Sequence, residues 1–133
     1  MRAALWLALA GTLFTLACGL FTAGPLPTPT PRPALLVELW AEHPVARVGD
    51  RQVLHVQVFD LRGQPADGVN VVAEVTSPYG RSSLVFPVTD GNGRAVYQET
   101  VPDAAPGTLF EVRALAFHNR AAGEASTSFT VWP

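Results

Sequence analysis

The stretch Val58–Gly80 reads VFDLRGQPADGVNVVAEVTSPYG, and its reading decides the fold. Turn residues crowd its first half: Asp60, Gly63, Pro65, Asp67 and Gly68. Glycine supplies positive φ, proline fixes φ and removes a donor, and aspartate bonds its own backbone, so this segment reads as a connection. The flanks alternate. In Gln52–Asp60, Leu54, Val56 and Val58 share one face and His55 and Gln57 the other. In Val69–Thr76, Val69, Val71, Ala73 and Val75 share one face, with Asn70 and Glu74 opposite. Period two marks a half-buried strand, because successive side chains point to opposite faces of a sheet. Ser77-Pro78-Tyr79-Gly80 then reads as a tight turn with proline at its second position.

Working outward, the same pattern recurs. Leu36–Glu42 is a first strand, followed by Pro44 and Gly49-Asp50. Ser83–Thr89 has Leu84, Phe86 and Val88 in phase, and Pro87 within it argues for a sheet edge. Asp90-Gly91-Asn92-Gly93 is a strong hairpin signal, with Arg94–Thr100 as the returning strand. Pro102–Gly107 reads as a longer crossover. Leu109–Phe117 alternates Phe110, Val112, Ala114 and Ala116 against Glu111 and Arg113, and Ser126–Trp132 closes the chain with Phe129 and Val131 inward. No helical period of useful length occurs after Leu35. About seven strands and no helix predict an all-β domain. The expected form is an antiparallel two-sheet β-sandwich, and a closed barrel is its rival.

The N-terminal quarter differs. Residues 1–23 read MRAALWLALAGTLFTLACGLFTA: Arg2 is a short positive region, and Ala3–Ala17 is uncharged and rich in Leu, Ala and Phe. This is the layout of a signal peptide or membrane anchor. Ala17-Cys18-Gly19 resembles the lipobox of bacterial lipoproteins, which implies lipidation at Cys18, although Thr15 and Leu16 stand where that motif prefers leucine and a small residue. An uncleaved anchor and simple secretion are the alternatives. All three place the rest of the chain outside the cytoplasm, and the lipoprotein and anchor readings make the membrane a partner through an N-terminal lipid or anchor. Residues 24–34 form a Pro/Thr-rich linker containing GPLPTPTPRP, expected to run as a semi-rigid polyproline II spacer. Residues 35–133 are the globular domain.

Composition narrows the chemistry. The chain has 133 residues, enough for one ordinary domain, and a formal net charge of −2, which makes no basic field for nucleic acid. Its nine basic residues are all arginine, so no Schiff-base or phosphate-loop lysine exists. Lysine and isoleucine are both absent, a composition in keeping with a GC-rich bacterial genome. The single cysteine excludes an internal disulfide and a thiolate zinc cluster. His43, His55 and His118 lack metal-ligand spacing and read as surface histidines, so no metal or cofactor is expected. The DGNG run has a faint look of a calcium loop, but it lacks that loop's fifth ligand and closing glutamate and reads as a turn. No Gly-x-Ser-x-Gly elbow is present, and catalysis is not expected.

Val58–Gly80, the following VTDGNGRAVYQETV and PGTLFEVRALA together resemble bacterial immunoglobulin-like domains, including the repeats of invasin- and intimin-type surface proteins. Asp60, Gly63, Pro65, Gly68, Pro78, Gly80, Thr89, Asp90, Gly93, Pro106 and Gly107 carry the resemblance, which spans roughly Leu36–Trp132. It implies an immunoglobulin-like sandwich that serves as a spacer or adhesive module. The function expected is display of a membrane-tethered surface module that contacts a protein or a glycan. A carbohydrate-binding or envelope-accessory subunit serving a separate enzyme is the alternative. Loops carry recognition on rigid scaffolds, so the turns with Tyr79 and with His118, Asn119 and Arg120 are the expected binding loops. Trp40, Phe59, Tyr79, Tyr97 and Trp132 either pack at the core and edges or form an exposed aromatic row.

Overall fold

Alternation in the sequence becomes alternation in burial, seen most cleanly where Phe110, Val112, Ala114 and Ala116 go inward and their neighbours outward. The computed structural model describes residues 34–133. The segment 1–23 with Cys18, and the linker up to Pro33, lie outside the described residues. The elements are β1 (Leu36–Ala41), β2 (Val45–Arg47), β3 (Arg51–Phe59), β4 (Asn70–Ser77), β5 (Gly80–Val85), β6 (Arg94–Thr100), β7 (Thr108–His118) and β8 (Ala121–Trp132). They form a three-stranded sheet, β1-β3-β6, and a five-stranded sheet, β2-β8-β7-β4-β5. The inner faces meet in one core that contains Leu54, Val56 and Val58 of β3, Val71, Ala73 and Val75 of β4, and Phe129 and Val131 of β8. Phe110 and Phe129 lie directly opposite each other and stack at 5.1 Å, a cross-strand pair at its centre. Two separate sheets around one core make a sandwich, not a closed barrel.

Several boundaries differ from the sequence expectation. Among the described residues there are eight strands, the extra one being β2, three residues between Pro44 and Gly49. It pairs parallel to β8, the one parallel ladder among the described residues, through Val45 and Thr130. The strand expected at Ser83–Thr89 is β5, which ends at Val85, so Pro87 follows the edge strand instead of interrupting it. Asp90–Gly93 does not close a hairpin. β5 pairs with β4 and β6 with β3, so this turn carries the chain between sheets. The Asp90 carboxylate accepts the amides of Asn92 and Arg94 at 2.9 and 3.0 Å, and Gly93 alone takes positive φ, +73°. The last strand begins at Ala121 rather than Ser126, and Asn119 at φ 52° makes the tight turn that joins β7 to it.

Gly123 explains the path of the chain into β1. Leu35 donates its N–H to the carbonyl of Ala122 at 2.9 Å before β1 crosses to the smaller sheet. A Cβ on Gly123 would fall on the backbone of Leu35. At the other end of β1, the fully buried Gln52 stands in for a strand. Its Nε2 donates to the carbonyl of His43 (2.7 Å), and its Oε1 accepts the N–H of His43 (3.1 Å). That pair satisfies the backbone while the chain turns from β1 to β2.

Glu99 is the one inward carboxyl of β6, directly opposite Gln52. Burial pushes its pKa above the ordinary carboxylate range. A raised folded-state pKa means the folded chain holds the proton more tightly than the unfolded chain. The contribution of Glu99 to stability is therefore greatest below the unfolded value and is lost as pH rises through the folded one. Glu99→Gln is expected to remove that loss and to raise the thermal midpoint at neutral pH. An unchanged pH profile of thermal unfolding, read by circular dichroism, would contradict this.

Candidate contact surfaces

Strand direction sorts the surface into two poles. The first pole holds Ala34, the turn between β7 and β8, and the connections β3–β4 and β5–β6. The second holds the β4–β5 turn, the β6–β7 connection, the start of β3 and the end of β8. Between them run strands such as β4, whose eight residues span roughly 25 Å at the usual rise. His118, Asn119 and Arg120 sit at the first pole and Tyr79 at the second, so the two expected binding turns form separate surfaces. All four residues are exposed. His118 Nδ1 lies 3.2 Å from the carbonyl of Gly68, which ties its turn to the β3–β4 connection.

At the second pole, Tyr79 stands over a groove of about 260 Å³. Its hydroxyl accepts the N–H of Ala105 at 3.1 Å, holding the ring across to the β6–β7 connection. Val75 and Phe110 line the groove with apolar surface, and Ser77, Ser82 and Asp103 add polar groups. The turn itself is a two-residue hairpin loop: Ser77 pairs with Gly80, which takes φ +134°. Ser77 Oγ accepts the N–H of Tyr79 at 3.2 Å.

Trp40 lies on the outer face of the three-stranded sheet, opposite the middle of β3. It lies flat against His55, its cross-strand partner, with centroids 5.2 Å apart and planes 7° apart. His55 Nε2 is in turn 3.1 Å from a carboxylate oxygen of Glu42. The indole is thus fixed yet 42% exposed. Trp132 is also exposed, at the end of β8 on the other sheet. Phe59 is half-buried at the opposite end of β3. Tyr97 points inward and packs against Phe86 at 5.7 Å, so it belongs to the core. The aromatics do not make a single row. Across the outer face of the large sheet, Arg113 and Glu124 form an exposed ion pair, with Nε 3.1 Å from the carboxylate. Glu124, by that hydrogen bond and by its charge, raises the Arg113 pKa. An exposed pair of this kind adds little stability.

The acidic turns are occupied by their own backbone. Asp60 Oδ1 accepts the amides of Arg62 (2.8 Å) and Gln64 (3.0 Å), as Asp90 does in its turn. Among the described residues, no three His, Cys, Asp or Glu side chains converge as metal ligands.

Among solved structures, the chain is similar to the alkylpurine DNA glycosylase AlkC of Pseudomonas fluorescens, determined bound to DNA containing an abasic site analog. The TM-score is 0.52 at 14% identity, over 74% of this chain and 30% of that one. It is also similar to the CARDB domain of the PF1109 protein of Pyrococcus furiosus, in complex with di-metal ions, at TM-score 0.42 and 14% identity over 79% and 98% of the two chains. A third likeness is to the sporulation control protein Spo0M of Bacillus subtilis, at TM-score 0.43 and 12% identity over 75% and 50%. This chain spans about 30% of the length of the glycosylase it matches. No family model and no curated protein matches the sequence. At such identities the likeness is one of fold. The fold of the described residues is an all-β sandwich of the immunoglobulin-like kind, eight strands in two sheets.

Proposed function

We propose that this protein is an immunoglobulin-like module tethered to the outside of a bacterial membrane, akin in role to the modules of invasin- and intimin-type surface proteins. It acts by display and contact with a protein or a glycan, and not by catalysis. One observation supports it most. The described chain begins at Ala34, at the first pole, where Ala34 bridges to Ala122. The exposed Tyr79 and Trp132 lie at the second pole. A tether entering at one end of a rigid sandwich turns the opposite end outward. The proline-rich run before Ala34 suits a spacer, because polyproline II is extended and stiff over several residues.

The test is the intact mass of the mature protein extracted from membranes. A mass beginning at Cys18 and carrying a diacylglycerol and an acyl chain is the expected result. Cys18→Ala is expected to release the protein or leave its precursor uncleaved, with residues 36–132 still folded. A mass beginning at Met1 makes the segment an uncleaved anchor with the same exterior domain. Unchanged lipid labelling and membrane partition in Cys18→Ala would rule out the lipid tether.

A further inference from the structure

A sheet ends in edges, and each edge offers unpaired N–H and C=O groups to another chain. Among the described residues the two sheets have four: β1 and β6 in one, β2 and β5 in the other. Three of them are blunted. β2 has only three residues. The chain entering β1 is bonded to β8 through Leu35 and Ala122. β6 carries the inward carboxyl of Glu99, which a strand docking there would bury further. β5 has none of these devices. It is six residues, GRSSLV, without proline, and its one charged side chain, Arg81, turns back toward Glu74 of β4 at 3.8 Å.

Ladder geometry fixes which groups of β5 are free. Just beyond the strand, Phe86 donates its N–H to the carbonyl of Val71 at 3.0 Å, and the register pairs Leu84 with Ala73, Ser82 with Val75 and Gly80 with Ser77. Bonding alternates along an antiparallel strand, so these residues face β4. The N–H and C=O groups of Arg81, Ser83 and Val85 therefore point out of the sheet. The groove under Tyr79 opens beside the same edge, with Gly80 and Ser82 in its wall.

We propose that β5 is where this protein accepts an added strand. An extended segment of a protein partner pairs with Arg81, Ser83 and Val85 and places one apolar side chain in the groove against Tyr79, Val75 and Phe110. This rests on the reading that the module acts by contact, and not on its tether. Donors and acceptors repeating along three alternate residues match another extended backbone, whereas a sugar or lipid headgroup has no such repeat. In strand addition the main chain supplies affinity and a side-chain pocket supplies selectivity.

A displayed library of random eight-residue peptides, panned on the full chain in detergent micelles, tests it. Enrichment of uncharged, proline-free sequences with one preferred apolar position is expected. Ser83→Pro removes a free donor and leaves the bonds to β4 intact, so affinity is expected to fall by at least about tenfold with thermal unfolding unchanged. Tyr79→Ala is expected to keep binding but lose the preference for an apolar side chain. Should Ser83→Pro disturb folding, hydrogen exchange at the Ser83 and Val85 amides reads the same contact, and peptide binding is expected to slow it. Failure to enrich any peptide, binders indifferent to Ser83→Pro, or unchanged exchange would overturn the proposal. So would self-association abolished by Ser83→Pro without peptide enrichment, which would make the occupant a second copy, or retention only on glycan. None of these outcomes bears on the mass at Cys18, so the tether and the edge stand or fall separately.

Discussion

Gly93→Ala is expected to destabilise the sandwich by on the order of 3–5 kcal/mol. Two costs add. At φ +73° an alanine Cβ crowds its own carbonyl, which costs roughly 1–2 kcal/mol. The Cβ would also fall on the carbonyl oxygen of Val58. That oxygen accepts the N–H of Ala66 at 3.0 Å, and the Val58 N–H donates to Gly93 itself at 2.8 Å. Moving the backbones apart loosens both bonds in a buried place, at about 1–3 kcal/mol for each group left unpaired. Two other glycines serve as internal controls. Gly63 ends the matching turn at φ +77° with open space around it, so Gly63→Ala bears the conformational cost alone. Gly91 has neither positive φ nor a neighbour, and Gly91→Ala is expected to change stability by less than about 1 kcal/mol. Urea midpoints of the three variants should rank Gly91→Ala, Gly63→Ala, Gly93→Ala from mildest to worst. Equal losses at Gly63 and Gly93 would show that the close approach at Val58 carries no weight.

That contrast marks where sequence reading stops. Both turns are written D-x-x-G, and both have an aspartate that accepts two amides of its own loop. Nothing local distinguishes them, because the approach of Val58 to Gly93 depends on β3 pairing with β6. The same limit explains the misplaced hairpin: a turn signal fixes a reversal of the chain, and which strands it then joins is a tertiary matter. Strands with strong alternation, β3, β4 and β7, were legible to within about a residue at each end. The first half of β8 was not, because its inward residues are Ala121, Gly123, Ala125 and Thr127, too small or polar to show a hydrophobic period. Gly123 among them makes room for the chain at Leu35. Of the expected contact residues, Tyr79 was legible as a turn aromatic, and its groove was not, since Phe110 and Asp103 come from distant sequence. The free edge at Arg81, Ser83 and Val85 follows from the hairpin register once β5 is known to have no second neighbour among the described residues.

Thr89→Val tests a second buried junction at the first pole, and the expected loss is on the order of 2–4 kcal/mol. Threonine is 2% exposed there, between the end of β5 and the turn leading to β6. Its hydroxyl donates to the carbonyl of Ala66 at 2.6 Å and accepts the N–H of Val69 at 2.9 Å. Its own backbone adds two more bonds: the amide donates to Val69 at 3.0 Å, and the carbonyl accepts the amide of Gly68 at 2.9 Å. One residue thus clasps the β3–β4 connection without belonging to a strand. Valine keeps the shape and the backbone bonds and removes only the hydroxyl, leaving a donor and an acceptor unpaired in a dry interior. Thr89→Ser keeps the hydroxyl and loses a methyl group, so it is expected to cost about 1 kcal/mol. A valine variant as stable as wild type would mean that water reaches Val69 and Ala66. The order valine worse than serine, measured by the same urea titration, identifies the hydrogen bonds rather than the packing as what holds this connection closed. The connection also carries Gly68, whose carbonyl lies beside His118, so its loosening in Thr89→Val is expected to free the His118–Arg120 turn before the second pole changes.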